Sequence, residues 1–303
     1  MSKTLTLYLT ELLLWQVKRD KNPFLTCLIE VLESAGWKVS LASDAASQRL
    51  KSVARPGYAL FYEDEPFHAR ALTVRRSYLR PFWRIEASAK RWEWDVAKAA
   101  FDPETVDPRS AAQFGTFWRK KLGLEAERSE GFIYVPLQGK LTQKRSFQSA
   151  SPLRMLETVV HRAEGRRVIA TLHPREDYSE MEHAHLAEMV EDGLIELSDK
   201  PMQVLLPRCV FVATENSSVA VMGYFLAKPA LLFGQIDFHH IAGSVPKQGL
   251  PEAYRTIQGP EPDYARYLYW FFQMQALNVW RPDFSERLLA RLSEHGWPDE
   301  NGA

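Results

Sequence analysis

The stretch CVFVATENSSVAVMGYFLAKPALLFG, residues 209–234, contains a strand–helix–strand unit that indicates the fold of the chain. CVFVAT (209–214) predicts a strand buried on both faces, because its apolar residues are continuous rather than alternating. SSVAVMGYFLAK (217–228) predicts a helix that begins directly after this strand, and PALLFG (229–234) predicts a second buried strand. Buried strands that alternate with helices are typical of a parallel sheet covered by helices.

The same alternation extends towards the N-terminus from this unit. Strands are predicted at GFIYVPLQ (131–138), RRVIATL (166–172) and LIELS (194–198), with helices over 151–165, 178–193 and 201–207. Ser179 and Glu182 have the spacing of a capping box at the start of one of these helices. The second half of the chain is therefore predicted to be a parallel α/β domain.

The first half begins with the same alternation of strands and helices, which does not continue beyond residue 64. Strands are predicted at TLTLYL (4–9), WKVSLAS (37–43) and YALFYED (58–64), with helices over 22–36 and 44–53. Asn22, Pro23 and Gly36 give the first helix an N-cap, a proline at its first position and a stop. Residues 65–130, rich in Arg, Trp and Pro, favour helices over 88–100 and 110–122.

We therefore predict an α/β fold with two Rossmann-like domains that face each other across a cleft. The polar segment GLEAERSEG (123–131) marks the boundary, so the domains are residues 1–130 and 131–260, followed by a helical tail, 261–303. The tail is expected to pack back across the two domains. For its aromatic stretch YARYLYWFFQMQALNVW (264–280), contact with a membrane or a lipid-linked acceptor is the alternative.

Composition limits the class of protein. The 303 residues include 38 basic and 38 acidic side chains, and this balance argues against a protein that mainly wraps nucleic acid or coats an anionic membrane. The two cysteines, Cys27 and Cys209, form neither a disulfide framework nor a Cys-rich zinc site, which favours a reducing, cytoplasmic location. Polar residues interrupt the N-terminal apolar stretch, so a strand and a turn are predicted there rather than a signal peptide. No transmembrane helix is predicted either.

Four polar clusters follow predicted strands of the second half: PLQGKLTQKRS (136–146), HPRED (173–177), TENSS (214–218) and GQIDFHH (234–240). The carboxyl ends of parallel strands meet at one edge of a sheet, where helix N-termini attract anions. We therefore expect these clusters to form a binding site for an anionic ligand.

Individual residues of these clusters have a functional and a structural interpretation. The hydroxyls of Ser217 and Ser218 suit a phosphate, but an N-cap needs the same residue type. His173 and Arg175 can bind a phosphate and stabilise a leaving group, although a histidine beside a turn proline is common in loops. The cationic loop containing Lys140, Lys144 and Arg145 suits an anionic ligand or is solvated surface.

The first half offers carboxylates and an Arg-rich segment. Glu63, Asp64 and Glu65 end the third predicted strand, where they can supply a base or nucleophile or form a polar strand exit. The segment RRSYLRPFWRIE (75–86) is interpreted as an acceptor pocket or as ordinary packing. Its candidates are Arg75, Arg76 and Arg80 for anions and Trp83 for stacking on a sugar.

Acidic and histidine residues suggest metal binding at two further places in the sequence. Glu180, Glu182, His183 and His185 lie within six residues, and His239 with His240 follows later. On a helix, residues 183 and 185 point to opposite sides, whereas Glu182 and His185 could share an ion. No metal site is predicted. The chain lacks a Walker loop, GxGxxG and GxSxG, which removes the main support for P-loop NTPases, classical dehydrogenases and α/β-hydrolases.

Residues 131–243 contain, in this order, strand–PLQ, strand–HPRE, LIELS and CVFVATENSSVAVMGYFLAKPALLFGQIDFHHIAG. This order of motifs resembles the bacterial capsule polysaccharide biosynthesis family. That family includes β-Kdo glycosyltransferases and is similar to other GT-B enzymes that use CMP-activated sugars. The resemblance implies a metal-independent mechanism without a cofactor. It also implies that His173 and the pair Ser217 and Ser218 hold the phosphate and ribose side of the nucleotide. Gln138, Lys140 and Arg175, which follow the same strand ends, are further candidates for binding the nucleotide and its phosphate.

The chain departs from the family pattern at two places. Thr171 and Leu172 stand where relatives have Lys-Pro before the HP pair, and Met222 stands where many relatives have a glutamate. Both departures favour a non-catalytic relative that binds a nucleotide, a glycan or a partner protein without turnover. A third hypothesis is a metal-dependent hydrolase that uses the acid and histidine clusters at 180–185 and 239–240.

The leading hypothesis is a glycosyltransferase of bacterial surface polysaccharide synthesis with a CMP-activated donor such as CMP-Kdo. His173 and Arg175 would stabilise the departing phosphate, and Glu63 or Asp64 would act on the acceptor hydroxyl or the anomeric carbon. The expected partners are the nucleotide sugar and a glycan or glycolipid acceptor, with no nucleic acid. Peripheral contact with the inner membrane is also expected.

Overall fold

The computed structural model describes residues 3–298, which divide into two compact α/β units. Unit 1 contains the residues up to Ala99 together with those from Phe271 onward, and unit 2 is Ala100–Trp270. The strands are β1 (Thr4–Leu9), β2 (Lys38–Ser43), β3 (Tyr58–Tyr62), β4 (Ala71–Arg76), β5 (Phe82–Glu86), β6 (Phe132–Pro136), β7 (Val168–Thr171), β8 (Glu196–Leu197), β9 (Cys209–Thr214), β10 (Ala230–Leu232), β11 (Gly243–Ser244) and β12 (Leu277–Asn278).

Short helices connect these strands, and several carry the caps expected from the sequence. Asn22 caps the second helix by accepting from the Leu25 N–H, and Ser179 with Glu182 forms a capping box. The helices are α1 (Glu11–Val17), α2 (Pro23–Ser34), α3 (Ala46–Leu50), α4 (Asp95–Lys98), α5 (Pro108–Leu122), α6 (Pro152–His161), α7 (Glu180–Glu191), α8 (Met202–Leu205), α9 (Ser218–Tyr224), α10 (Val245–Gln248), α11 (Leu250–Gln258), α12 (Tyr264–Tyr269) and α13 (Phe284–Glu294).

The sheet of unit 1 has the order β12-β5-β4-β3-β1-β2. Strands β1 to β4 are parallel, whereas β5 and β12 join antiparallel at one edge. Leu7 and Leu60 of the sheet share one core with Leu28 of α2 and Leu288 of α13. The C-terminal part of the chain therefore completes the first unit by adding a strand and a helix to it.

The sheet of unit 2 has the order β8-β7-β6-β9-β10-β11, and all its strands are parallel. Counted within the unit this order is 3-2-1-4-5-6, the Rossmann order. Val135, Ala170, Ala213 and Leu231 lie in the core of these strands. The predicted α/β class with two parallel-dominated sheets is confirmed.

Some predicted elements differ from the observed ones. The turn predicted after β1 is helix α1, and the predicted helix 88–100 is reduced to Asp95–Lys98 with a short 3₁₀ turn before it. Strands β4 and β5 lie within the region where only helices were predicted. These corrections concern unit 1. In unit 2, β11, α10 and α11 follow 229–234, which was expected to be the last strand, and they were not predicted.

The two compact units divide the chain differently from the predicted domains. The predicted boundary at 130/131 lies just before β6, but α5 belongs to unit 2. The ring centre of Phe114 on α5 lies 5.8 Å from that of Tyr269 and 6.4 Å from that of Phe225. This aromatic packing explains why residues 100–130 group with the second sheet.

Most aromatic side chains of the tail are buried, whereas Trp280 at its end is 60% exposed. Tyr264, Tyr267 and Trp270 are at most 6% exposed within unit 2, and Phe271 and Phe272 are fully buried within unit 1. Residues 264–272 therefore do not present these rings to a membrane. No helix among residues 3–298 is long and apolar enough to cross one.

Candidate functional site

The carboxyl ends of β6 and β9 define the candidate site in unit 2. These strands are neighbours, and the chain order reverses direction between them. Ligands of open α/β sheets bind at such a switch point, outside the carboxyl ends of the strands. The loop 137–151 follows β6, and the short link 215–217 leads from β9 into α9.

Four side chains at this edge have buried hydrogen-bonding atoms without a partner, and we call them the polar cluster. Both carboxylate oxygens of Glu215 lack a partner, although the residue is only 1% exposed. The other members have unpartnered donors or acceptors of their own: Gln138 (Oε1), Arg145 (Nε and Nη2) and Gln148 (Nε2). Because unpaired buried polar atoms are rare in native proteins, the cluster points to a ligand or to bound water.

Main-chain contacts hold the polar cluster together. The Arg145 N–H donates to Gln148 Oε1 at 2.7 Å, and Gln148 forms an antiparallel bridge with Gly234. The Gly234 N–H donates in turn to the Glu215 carbonyl oxygen at 2.8 Å. A Cβ at position 234 would lie 2.9 Å from this oxygen, so only glycine fits the approach.

The electrostatics of the polar cluster are set by burial. Desolvation raises the pKa of Glu215 to about 8, against the opposing effect of Arg145 and Lys144. The carboxyl group is therefore largely protonated at neutral pH, and it can donate one hydrogen bond as well as accept. The Arg145 guanidinium lies 5.0 Å from the centre of the Phe147 ring.

Glu182 anchors the loop that carries Arg145 and Gln148. Its Oε1 accepts from the Leu141 N–H, and its Oε2 accepts from the Ser179 N–H at 2.9 Å. The hydrogen bond from the Ser179 backbone is the main reason why the pKa of Glu182 lies below its ordinary value. This carboxylate is engaged by the loop and the helix start rather than held open for a metal.

His173 and Arg175 are exposed in the loop after β7, next to β6 in the sheet. His173 Nδ1 accepts from the Arg175 N–H at 3.3 Å, which leaves Nε2 as the protonated donor of a neutral ring. A Cβ on Gly139 would collide with the Glu176 carboxylate, so the loops after β6 and β7 touch. The structure thus brings the HPRE loop and the loop after PLQ to one edge.

The two serines have different positions. Ser217 is the N-cap of α9, with its Oγ accepting from the Val219 N–H at 3.3 Å, as the structural alternative proposed. Ser218 is exposed on the first turn of the same helix. Met222 is buried, 7% exposed, and faces the core. Lys140 and Lys144 are exposed on the loop, whereas Arg145 belongs to the polar cluster.

Glu63 and Asp64 follow β3 in unit 1, at the switch point of that sheet between β1 and β3. Each carboxylate faces an arginine: Glu63 lies 3.5 Å from Arg75 Nε, and Asp64 lies 2.8 Å from Arg49 Nη1. Glu63 has a φ of 60°, which is uncommon for a non-glycine residue. The predicted carboxylates and Arg75 therefore meet at one edge of unit 1.

Trp83 corrects the predicted acceptor pocket. It is 6% exposed, and its ring stacks on Phe24 with 4.5 Å between ring centres and 5° between planes. This packing places Trp83 in the core of unit 1, so its face is not open to a sugar. Arg76 is half-buried at the end of β4 and Arg80 is exposed.

The predicted acid and histidine clusters do not assemble a metal site. Among residues 3–298, Glu86, Asp95 and His295 are the group whose ligand atoms lie close enough together for an ion. Arg291 forms ion pairs with both carboxylates of this group. Its Nη2 lies 2.8 Å from Glu86 Oε2, and its Nη1 lies 2.7 Å from Asp95 Oδ2. The guanidinium already supplies the positive charge that compensates these two carboxylates.

A cavity of about 560 Å³ lies elsewhere in unit 2. It is lined by α5, the end of α9 and the residues around Asp263. Its lining residues include no member of the polar cluster and none from the loops that follow β6, β7 and β9. The cavity is therefore not part of the candidate site.

Known proteins resemble this chain in their fold, whereas comparisons of sequence find no match. Protein-family models and curated protein sequences give no match. Among solved structures, KpsC of Thermosulfurimonas dismutans, a beta Kdo 2,7 transferase, is similar with a TM-score of 0.56 and 13% identity. The match covers 98% of this chain and 100% of that chain. The resemblance to β-Kdo transferases thus holds at the level of the fold.

A second solved structure, the wall teichoic acid polymerase TagF, matches with a TM-score of 0.29 and 8% identity. It covers 97% of this chain and 89% of that chain. This low score gives no support to any structural conclusion.

The polar cluster was only partly predictable from the sequence. Gln138 and Arg145 were among the predicted candidates. Glu215 was visible in the sequence only as one polar residue after a strand. Its burial depends on Gly234 and on the loop around Phe147, which come from distant parts of the chain. The available signal was a lone acidic residue directly after an apolar strand at the expected switch point.

Proposed function

We propose that the chain is a glycosyltransferase that takes a sugar from a CMP-activated donor such as CMP-Kdo, without a metal ion. The acceptor is a glycan or glycolipid of bacterial surface polysaccharide. The observation that carries the proposal is the polar cluster, located at the switch point of a sheet in the Rossmann order. The fold similarity to a β-Kdo transferase supports it.

The polar cluster suits the edge of a cytosine base. Protonated Glu215 can donate to N3 of cytosine while its carbonyl oxygen accepts from the N4 amino group. Arg145 and Gln148 offer unpartnered donors for the O2 oxygen. A base bound in this way supplies the partners that these buried atoms lack. Because the cluster atoms are covered in this structure, the loop 139–150 must move when the base enters.

The phosphate of the nucleotide is assigned to the exposed polar groups of the same edge. Nε2 of His173, the guanidinium of Arg175, the ammonium of Lys140 and the hydroxyl of Ser218 are its donors, while Ser217 holds the start of α9. Donors and cations at this point stabilise the charge that develops on the departing CMP.

Glu63 and Asp64 of unit 1 are assigned to the acceptor hydroxyl or the anomeric carbon, as base or nucleophile. Arg49 and Arg75 orient these carboxylates. Arg75 and Arg76 then also serve acidic groups of the acceptor. The protein would work in the cytoplasm, in peripheral contact with the inner membrane where a glycolipid acceptor lies.

A non-catalytic relative is the second candidate, and the burial of Met222 favours it. Met222 stands where many relatives have a glutamate, and its side chain points into the core. A protein of this kind would bind CMP but release none from a CMP-activated sugar.

Thermal shift with CMP, UMP, GMP and divalent metals tests the proposed site. CMP at about a hundredfold excess over its Kd should raise the Tm by about 5 °C or more, without added metal. Ser218→Glu should abolish the shift, because its carboxylate repels the phosphate while remaining compatible with a helix start. Ser110→Glu on the first turn of α5 is the matched control and should keep the shift. If no nucleotide shifts the Tm while zinc or manganese does, the proposal is wrong.

A further inference from the structure

Helix α1 of unit 1 presents two large apolar side chains to solvent. Leu12 is 63% exposed and Trp15 is 43% exposed, whereas Leu13 is buried in the core of the unit. Leu12 and Trp15 are three positions apart, so they lie on the same face of the helix. This helix therefore has one face in the core and a second face whose apolar side chains are exposed to solvent.

Cations surround the exposed tryptophan. The Arg19 guanidinium lies 4.8 Å and the Lys21 ammonium 4.6 Å from the centre of the Trp15 ring. Lys18 is exposed on the same segment. These three cations outnumber the two acidic residues of the segment, Glu11 and Asp20.

This combination matches the chemistry of an anionic bilayer surface. Tryptophan favours the headgroup region, where its ring is half in an apolar and half in a polar environment. Lys and Arg attract anionic headgroups, and their long side chains keep the charge in water while the stem covers apolar surface. The local charge of the segment is thus opposite to that of such a membrane, although the whole chain is neutral.

We propose that the α1 face, formed by Leu12, Trp15, Lys18, Arg19 and Lys21, is a peripheral binding surface for anionic membranes. Leu12 and Trp15 enter the headgroup layer, and the three cations contact lipid phosphates. The relevance to a glycolipid acceptor rests on the proposed function, but binding to the membrane does not require it.

Co-sedimentation with vesicles tests the proposal. The purified full chain is mixed with phosphatidylcholine vesicles, with or without roughly 30% phosphatidylglycerol. Wild type should sediment with the anionic vesicles and much less with the neutral ones. The double variants Leu12→Ser/Trp15→Ser and Arg19→Glu/Lys21→Glu should each weaken partitioning by on the order of tenfold or more.

Phe117→Ser is the matched control, because Phe117 on α5 is 55% exposed and has the Lys121 ammonium 5.5 Å from its ring centre. It should leave vesicle binding unchanged. The proposal is overturned if wild type ignores anionic vesicles, if both double variants bind like wild type, or if Phe117→Ser weakens binding equally. An unchanged Tm without ligand shows that the variants are folded, and the CMP-induced Tm shift of the same variants tests the proposed function separately.

Discussion

At the scale of single residues, Glu215 makes the stability of the protein depend on pH. Its pKa in the folded protein is about 8, compared with 4.5 for an ordinary glutamate, because the side chain is buried. Its contribution to stability is fully present below 4.5 and is lost as the pH rises through about 8. Each pH unit in this interval costs up to about 1.4 kcal/mol.

Glu215→Gln should therefore raise the Tm relative to wild type at about pH 9 and change it much less at about pH 5. Differential scanning calorimetry at the two pH values measures this. Glu188→Gln, at an exposed position of α7, is the matched control. An equal effect of Glu215→Gln at both pH values would show that the carboxyl group does not titrate in this interval.

The same residue should control the affinity for CMP. Glu215→Ala should weaken CMP binding by about tenfold to a hundredfold, since two hydrogen bonds to the base are lost. Glu215→Gln keeps one donor and one acceptor, so its affinity should stay close to that of wild type at neutral pH. Above about pH 8 wild type should lose affinity while the glutamine variant does not. Isothermal titration calorimetry over this pH range would contradict the assignment if the two proteins showed the same pH profile.

Glu215 and Trp83 show where prediction of single residues from the sequence ends. Exposed residues such as His173, Arg175 and Ser218 could be selected by their place after a strand. Trp83 could not be separated from a sugar-stacking residue, because its burial depends on the Phe24 ring of α2. Burial is a property of the packed units, and the residue type indicates only how often such a side chain is buried.

At the scale of elements, Glu182 connects the start of α7 to the loop 139–150. Glu182→Ala should cost about 1 kcal/mol or more in stability, because it removes a capping box and the anchor of the loop. It should also weaken CMP binding, since Arg145 and Gln148 lie on this loop. Chemical denaturation and calorimetric titration measure the two effects.

Glu180→Ala is the control for Glu182, because it changes an exposed glutamate in the same first turn of α7. It should leave CMP affinity unchanged. If both variants weaken CMP binding to the same extent, the negative charge at the helix start rather than the loop anchor would be responsible.

Strands β6, β7, β9 and β10 of unit 2 were predictable because their continuous apolar runs are buried, whereas the two-residue strand β11 was not predicted. CVFVAT was predicted as 209–214 and is a strand over the same residues. Strands β4 and β5 were missed, since β5 contains the buried charges Arg84 and Glu86. Arg84 donates to the carbonyl oxygens of Phe271 and Gln275, and Glu86 pairs with Arg291. These partners come from the C-terminal segment, about 190 residues or more along the chain, so no local pattern indicates them.

At the scale of the whole molecule, the net charge of zero is made up of charges of both signs that lie close together. Lys140, Lys144 and Arg175 are exposed around the switch point of unit 2, beside the exposed Glu176 and Asp177. An anionic nucleotide bound there would depend on direct contact with the cations of this edge. Raising the salt concentration should therefore weaken CMP binding moderately, and a salt titration of the Kd measures this.

Transfer of a sugar from a CMP-activated donor is the central activity proposed for the chain, and release of CMP from CMP-Kdo tests it directly. With a glycan acceptor and EDTA present, wild type should release CMP catalytically. Arg175→Ala should reduce kcat by on the order of a hundredfold, whereas Arg154→Ala on the exposed face of α6 should not. A wild-type protein that binds CMP-Kdo yet releases no CMP with any acceptor would contradict the account and identify a non-catalytic relative.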